Sequence, residues 1–125
     1  MGLRKSSNSV GTEGMTSKKL LSLVESALEE LKAQDVVSLE VSSITDLTDY
    51  MVIASGTSNR HVNSMAEHVE LEAKKAGYRA LGVEGKEESE WVLVDFADVV
   101  VHIMQPAIRS FYDLESLWSD MGEKA

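Results

Sequence analysis

Glu90-Trp91-Val92-Leu93-Val94-Asp95-Phe96-Ala97-Asp98-Val99-Val100-Val101-His102-Ile103-Met104 is the stretch on which the fold turns. It holds the densest run of β-branched residues in the chain, broken once by the step from Asp95 to Asp98. Two such runs with a short polar break between them predict an antiparallel hairpin. With Phe96 and Ala97 as the loop, strand alternation sorts the side chains into two faces. Val92, Val94, Val99, Val101 and Ile103 share one face, which is wholly apolar. Trp91, Leu93, Asp95, Asp98, Val100, His102 and Met104 share the other. That second face mixes an aromatic ring, two carboxylates and an imidazole, a mixture for which a plain buried face has no use. Neither Phe96 nor Ala97 suits the positive φ of the favoured two-residue turns, so a longer loop stays open as an alternative.

Upstream of the hairpin, Tyr78 to Glu84 carries a short strand at Ala80–Val83, and Gly85–Ser89 is a charged turn. Before that, Val62, Met65, Ala66, Val69 and Ala73 recur at helical spacing, and Gly77 sits where a C′ residue belongs. The helix is entered from Ser55-Gly56-Thr57-Ser58-Asn59, a turn rich in capping residues. The apolar run Tyr50 to Gly56 predicts a central strand covered on both faces. Asp35–Val41 alternates as a further strand. Between these two strands, Ser42–Asp49 is a polar connection in which Ile44 and Leu47 are expected to dip into the core. Leu20, Leu21, Val24, Ala27, Leu28 and Leu31 give a first helix with Ser17 as its N-cap. After the hairpin, Gln105-Pro106 stops the strand, and a last helix is expected from Ala107 to Met121. The order α-β-β-α-β-β-β-α predicts a mixed sheet with packed helices, an α/β or α+β layer fold.

With 125 residues and 43% hydrophobic content, the chain is expected to be one domain with its own core. That domain spans residues 17–121, between a disordered tail at 1–16 and a disordered C-terminus at 122–125. Met1–Thr16 is Ser, Gly and Asn rich. Its first six residues fit the N-myristoylation pattern loosely enough for chance to account for the match, and Met15 is an alternative start. The absence of cysteine excludes disulfide frameworks and thiolate zinc sites. A formal charge of -9 argues against broad phosphate-backbone binding and suits a protein that meets a basic partner or simply stays soluble. No apolar run reaches transmembrane length, and no signal peptide is evident. A soluble, cytosolic protein is the expectation.

Three stretches compete as the functional site. Ser55–His61 gathers hydroxyls and amides at a helix N-terminus, which can hold a phosphate. It has a single glycine and no following Lys, and capping alone explains its residue types, with Arg60 and His61 solvated. Asp95, Asp98 and His102 are the right types for a divalent cation. As turn residues beside Trp91 they need no such role, so no metal or cofactor is expected. The third candidate is a recognition surface: Trp91, Phe96, Met104, Tyr112 and Trp118 are large amphipathic side chains of the kind that anchor interfaces. Docking of the last helix on the sheet is the plain account of Trp118. Trp91 and Tyr112, which share their faces with polar neighbours, favour the interface. His61 and His68, seven apart, mark a polar helix face, since helical metal pairs sit at i, i+4.

At these residues the chain resembles the ribosomal silencing factors, also called the Iojap family, over roughly Leu20 to Trp118. The matching motifs are Ser43-Ile44-Thr45-Asp46, Asp49-Tyr50-Met51-Val52-Ile53-Ala54-Ser55-Gly56-Thr57-Ser58-Asn59-Arg60-His61-Val62 and Val83-Glu84-Gly85. They continue with Trp91 to His102 and close on Arg109, Tyr112, Leu114, Glu115, Leu117 and Trp118. The resemblance implies a fold similar to the nucleotidyltransferases without a catalytic centre. It also implies binding to the large ribosomal subunit through its ribosomal protein fourteen, which blocks joining of the small subunit when nutrients are short. It leaves room for a homodimer off the ribosome and implies neither sequence-specific nucleic-acid binding nor a membrane. The partner-binding residues expected on this basis are Trp91, Asp95, Phe96, His102, Met104 and Tyr112. One departure stands out: the family pattern has Gly where this chain has Ala97. The alternative is a metal-dependent nucleotidyltransferase, which needs a Gly-Ser pair at a helix start and a close Asp pair on the adjoining strand. Here the order is Ser55-Gly56, and Asp95 and Asp98 fall at a turn.

Overall fold

The computed structural model describes residues 10–118. The first nine residues of the expected tail, the lipidation pattern, the helix end at Met121 and the terminus at 122–125 lie outside the described residues.

Among the described residues, eight elements follow in the expected order: α1 (Val10–Glu30), β1 (Gln34–Glu40), β2 (Tyr50–Ser55), α2 (Asn59–Lys75), β3 (Gly82–Glu84), β4 (Trp91–Asp95), β5 (Val99–Met104) and α3 (Pro106–Tyr112). The strands form one mixed sheet in the order β1-β2-β5-β4-β3. Only β2 and β5 run parallel; the other neighbours are antiparallel. β2 is therefore a central strand, and five of its six residues are buried.

One face of the sheet is fully covered. Leu20, Val24, Ala27 and Leu28 of α1 and Val62, Met65, Ala66, Val69 and Ala73 of α2 pack there. They meet Val52, Ala54, Val92, Val94, Val99, Val101 and Ile103 from the strands. Each fully buried Val, Leu or Ile contributes roughly 1.5–3 kcal/mol of transfer free energy, so this layer is the stabilising core. The five buried α2 residues are those the helical spacing singles out. Gly77, at φ +95, follows the C-cap as expected.

Four local expectations are corrected. The composition predicts a helix start at Ser17, yet α1 begins at Val10. Ser17 caps nothing; it is buried, and its Oγ donates to Asp49 Oδ2 at 2.9 Å, tying α1 to the start of β2. In the 41–49 connection Ile44 does pack inward, but Leu47 is 87% exposed. The third strand is Gly82–Glu84 rather than Ala80–Val83. The last helix is broken at Asp113: α3 ends at Tyr112, Asp113 adopts the left-handed region (φ 49, ψ 52), and helix resumes as a separate short turn over residues 114–118. Pro106 opens α3 at N1, where its missing N–H has no cost.

The hairpin keeps its two faces but not its loop. Trp91 faces Met104, Leu93 faces His102 and Asp95 faces Val100 across the ladder. The Phe96 amide donates to the Val99 carbonyl at 2.9 Å, so the loop is Ala97-Asp98 and Phe96 joins the core face at 7% exposure. Ala97 bears the strain of this turn at φ +73, with its amide donating to Asp95 Oδ1 at 2.8 Å. A side chain there meets its own backbone. Ala97→Gly is expected to raise stability by about 0.5–1 kcal/mol, the gain being limited by the greater freedom glycine gives the unfolded chain. A urea melt checks this: a lower midpoint would mean that the methyl packs more than it strains.

Candidate docking face

The second face of the sheet is covered only in part. Val41, Met51, Ile53 and Met104 form a small buried cluster on that side. Ile108 of α3 packs against it, as do Leu114 and Trp118 from the following turn, with Leu39, Ile44 and Trp91 at its margin. Beyond this cover the face opens onto half-buried Trp91, Leu93, Val100 and His102.

Trp91 organises the open part. It lies diagonal to His102 across the β4–β5 ladder, a separation aromatic side chains can span. Its Nε1–H donates to His102 Nδ1 at 3.0 Å, and the two ring centroids are 5.8 Å apart. On its other side the Tyr112 ring stands 4.9 Å away, tilted by 51°, and Phe111 meets Tyr112 edge-on at 5.0 Å. Tyr112 is 51% exposed and Phe111 80%. Gly85 sets the backbone of Trp91: at φ +92 it passes so close that a Cβ would lie 2.1 Å from the Trp91 carbonyl oxygen.

An indole N–H can only donate, so His102 accepts on Nδ1 and carries its proton on Nε2. Burial pushes the His102 pKa down from 6.5 to about 4. The folded state therefore disfavours the charged ring, and the unfolded chain binds the proton first. Stability from the neutral ring is complete above about pH 6.5 and is lost as pH falls toward 4, a window worth roughly 3 kcal/mol. NMR titration of the imidazole is expected to show a midpoint near 4. His102→Gln is expected to flatten the stability profile across that window, and a midpoint near 6.5 would refute the buried neutral ring.

Of the residues expected to bind a partner, Trp91, His102 and Tyr112 come together on this face. Two do not belong to an exposed surface. Met104 is fully buried in the small cluster, because the ladder puts it beneath α3. Phe96 is turned into the main core by the shifted loop. Asp95 lies on the open face, but its Oδ1 is engaged by the Ala97 amide, a turn role. Among the described residues, no three His, Asp or Glu side chains gather as a metal site. Asp98 contributes its carbonyl, which accepts the amides of Asp49 and Tyr50.

The Ser55–His61 turn is a cap. Ser58 Oγ accepts the His61 amide at 3.1 Å, and the Ser58 carbonyl accepts that of Val62. The Thr57 amide donates to His61 Nδ1 at 2.9 Å, so His61 Nε2 is the donor to the Leu31 carbonyl at 2.7 Å. His61 is thus a strut between α1 and the β2–α2 turn rather than a solvated side chain. Gly56 is needed for packing, since a Cβ would approach Val62 Cγ2 to 2.8 Å. Two of the amides an anion would use, those of Thr57 and His61, are already engaged. His68 Nε2 meets Glu30 Oε1 at 2.6 Å on the polar flank between α1 and α2.

Two residues gain a role that sequence reasoning did not give them. Arg109 is buried, and its guanidinium donates to Ser55 Oγ at 2.8 Å and to both carboxylate oxygens of Glu115 at 2.9 and 2.8 Å. The signal was a lone Arg in an aromatic segment with a Glu six residues on. Its partner on β2 is too distant in sequence for any local pattern to show.

Among known families, one described as "Ribosomal silencing factor during starvation" matches residues 14–125. The chain is 45% identical over 104 residues to the ribosomal silencing factor RsfS of Chromobacterium violaceum, covering 83% of this chain and 85% of the relative. It is 36% identical over 106 residues to that of Bacillus subtilis, covering 85% and 90%. A crystal structure of a Chromobacterium violaceum protein superposes with a TM-score of 0.81 at 45% identity, over 82% of this chain and 85% of that one. No helix among the described residues is long and apolar enough to cross a membrane.

Proposed function

This chain belongs to the ribosomal silencing factor family, and on that premise we propose that it represses translation by docking on the large ribosomal subunit. The docking partner is ribosomal protein fourteen, and the bound factor keeps the small subunit from joining. It acts in the cytoplasm as a binding protein, not as an enzyme. The observation that supports this reading is the asymmetry of the sheet. One face is closed by two helices, while the other leaves the Trp91, His102 and Tyr112 rings partly open to solvent. Large aromatic side chains at a partly desolvated surface are what anchors an interface. Strand positions on this face carry Glu84 and Asp95 and no Lys or Arg, which favours a basic partner surface.

Sedimentation of the chain with purified large and small subunits tests the proposal. It is expected to travel with large subunits alone, and to lower the joined fraction when added before mixing. Joining at the untreated level, with the chain bound, would overturn the silencing step. Calorimetry with nucleoside triphosphate and Mg²⁺ is expected to show no heat of binding; micromolar affinity would reopen the nucleotidyltransferase alternative.

A further inference from the structure

α3 has seven residues, too few to be helical by itself. Its N-cap, Gln105, makes no side-chain cap hydrogen bond, and its C-terminus turns through a left-handed Asp113 where glycine is usual. Yet this weak element and the segment after it carry Tyr112, one of the three rings of the open face, and Leu114 and Trp118, part of the cover over Met51, Ile53 and Met104. Something must fix its angle. The helical path breaks at Asp113, so Arg109 and Glu115 stand on either side of the bend and close it with a two-pronged ion pair. The third prong, to Ser55 Oγ, anchors the bend to the end of β2. The pair holds Glu115 below the usual carboxylate range and Arg109 more firmly protonated, with Asp35 adding to the second effect. Both prongs are charge-assisted, and the planar fork fixes orientation as well as distance.

We infer that Arg109 and Glu115 are positioning residues for the docking face: anchored on Ser55, their ion pair sets the bend at Asp113 so that Tyr112 leans on Trp91 and Leu114 and Trp118 close the small cluster. The inference rests on the docking reading above. Its test uses the full chain with Glu115→Gln, which removes the charge at constant shape, and Arg109→Lys, which keeps the charge and loses the fork. Trp91→Ala runs beside them.

In both variants amides of residues 107–112 are expected to exchange about tenfold faster relative to those of β2 and β5, as loss of one charge-assisted contact implies. Nuclear Overhauser contacts between the Trp91 and Tyr112 rings are expected to fade. Affinity for large subunits is expected to fall about tenfold while the cooperative melt is kept. Unchanged exchange in α3 would overturn the inference. So would a loosened α3 with undiminished binding in a preparation where Trp91→Ala no longer binds. If Trp91→Ala binds like the wild type, the docking reading fails and takes this inference with it. That result comes from the Trp91 arm alone, so the two failures are told apart.

Discussion

Val101→Asp is expected to leave no cooperatively folded domain. Val101 is fully buried, paired with Val94 on β4 and Val52 on β2, in a cluster whose members are all apolar. A carboxylate there has no cation to meet and loses its water, which costs several kcal/mol even after partial relaxation. Total stability for a domain of this size is about 5–15 kcal/mol, so one such insult consumes most of it. Val100→Asp is the matched control. Its side chain is one residue away, half-buried on the open face, and that variant is expected to fold. Far-UV circular dichroism and thermal melts separate the two outcomes. If Val101→Asp melts at the normal midpoint and Val100→Asp does not, the two faces of the sheet must be exchanged, because a one-residue slip inverts every side chain.

Trp91→Ala is expected to abolish inhibition of subunit joining at concentrations where the unaltered chain is effective. A central interface Trp typically contributes 2 kcal/mol or more on truncation, roughly thirtyfold or greater in affinity. Trp91 touches both other rings of the open face, so its loss removes area and also the surface on which Tyr112 rests. Tyr112→Ala is expected to weaken binding more mildly, and His102→Ala less again, since the imidazole orients the indole more than it supplies area. Trp91→Phe separates the two contributions: it keeps a ring for Tyr112 and deletes the N–H that reaches His102. Folding must be followed in parallel, because Trp91 also borders the small buried cluster. Should Trp91→Ala stay folded and bind large subunits as the wild type does, this face is not the docking surface, and the 114–118 turn carrying Trp118 becomes the next to test.

Much of this architecture was legible because faces repeat with a fixed period. The alternation in Trp91–Met104 sorts the core side from the mixed side correctly, and the spacing from Val62 to Ala73 names the buried side of α2. What alternation does not encode is register. Moving the loop by one residue, from Phe96-Ala97 to Ala97-Asp98, shifts the pairing by two and preserves the faces, so Phe96 changes from loop to core without disturbing the pattern. The turn itself was hidden because its left-handed residue is an alanine. The break at Asp113 was hidden for the same reason, since neither glycine nor proline marks it. Met104 looked like a surface residue because its strand face is mixed; it is the docking of α3, a tertiary event, that buries it. Arg109 shows the limit most plainly: its anchor on Ser55 joins residues that no window of local sequence contains together.

The lone parallel pairing in the sheet also governs the order in which the chain can be completed. β1 and β2 pair through a short connection, and β4 and β5 through two residues, so each hairpin can form as soon as it is made. β2 and β5 can meet only when all of α2, β3 and β4 lie between them, and closing that long loop must precede any reward from their contacts. During synthesis, β2 therefore leaves with one edge unpaired, and Met51, Val52, Ile53 and Ala54 stand beside it without their eventual cover. An exposed apolar edge of that kind recruits other chains. A product that stops short of Val99 therefore leaves the β2 edge without its β5 partner and open to pairing with another chain.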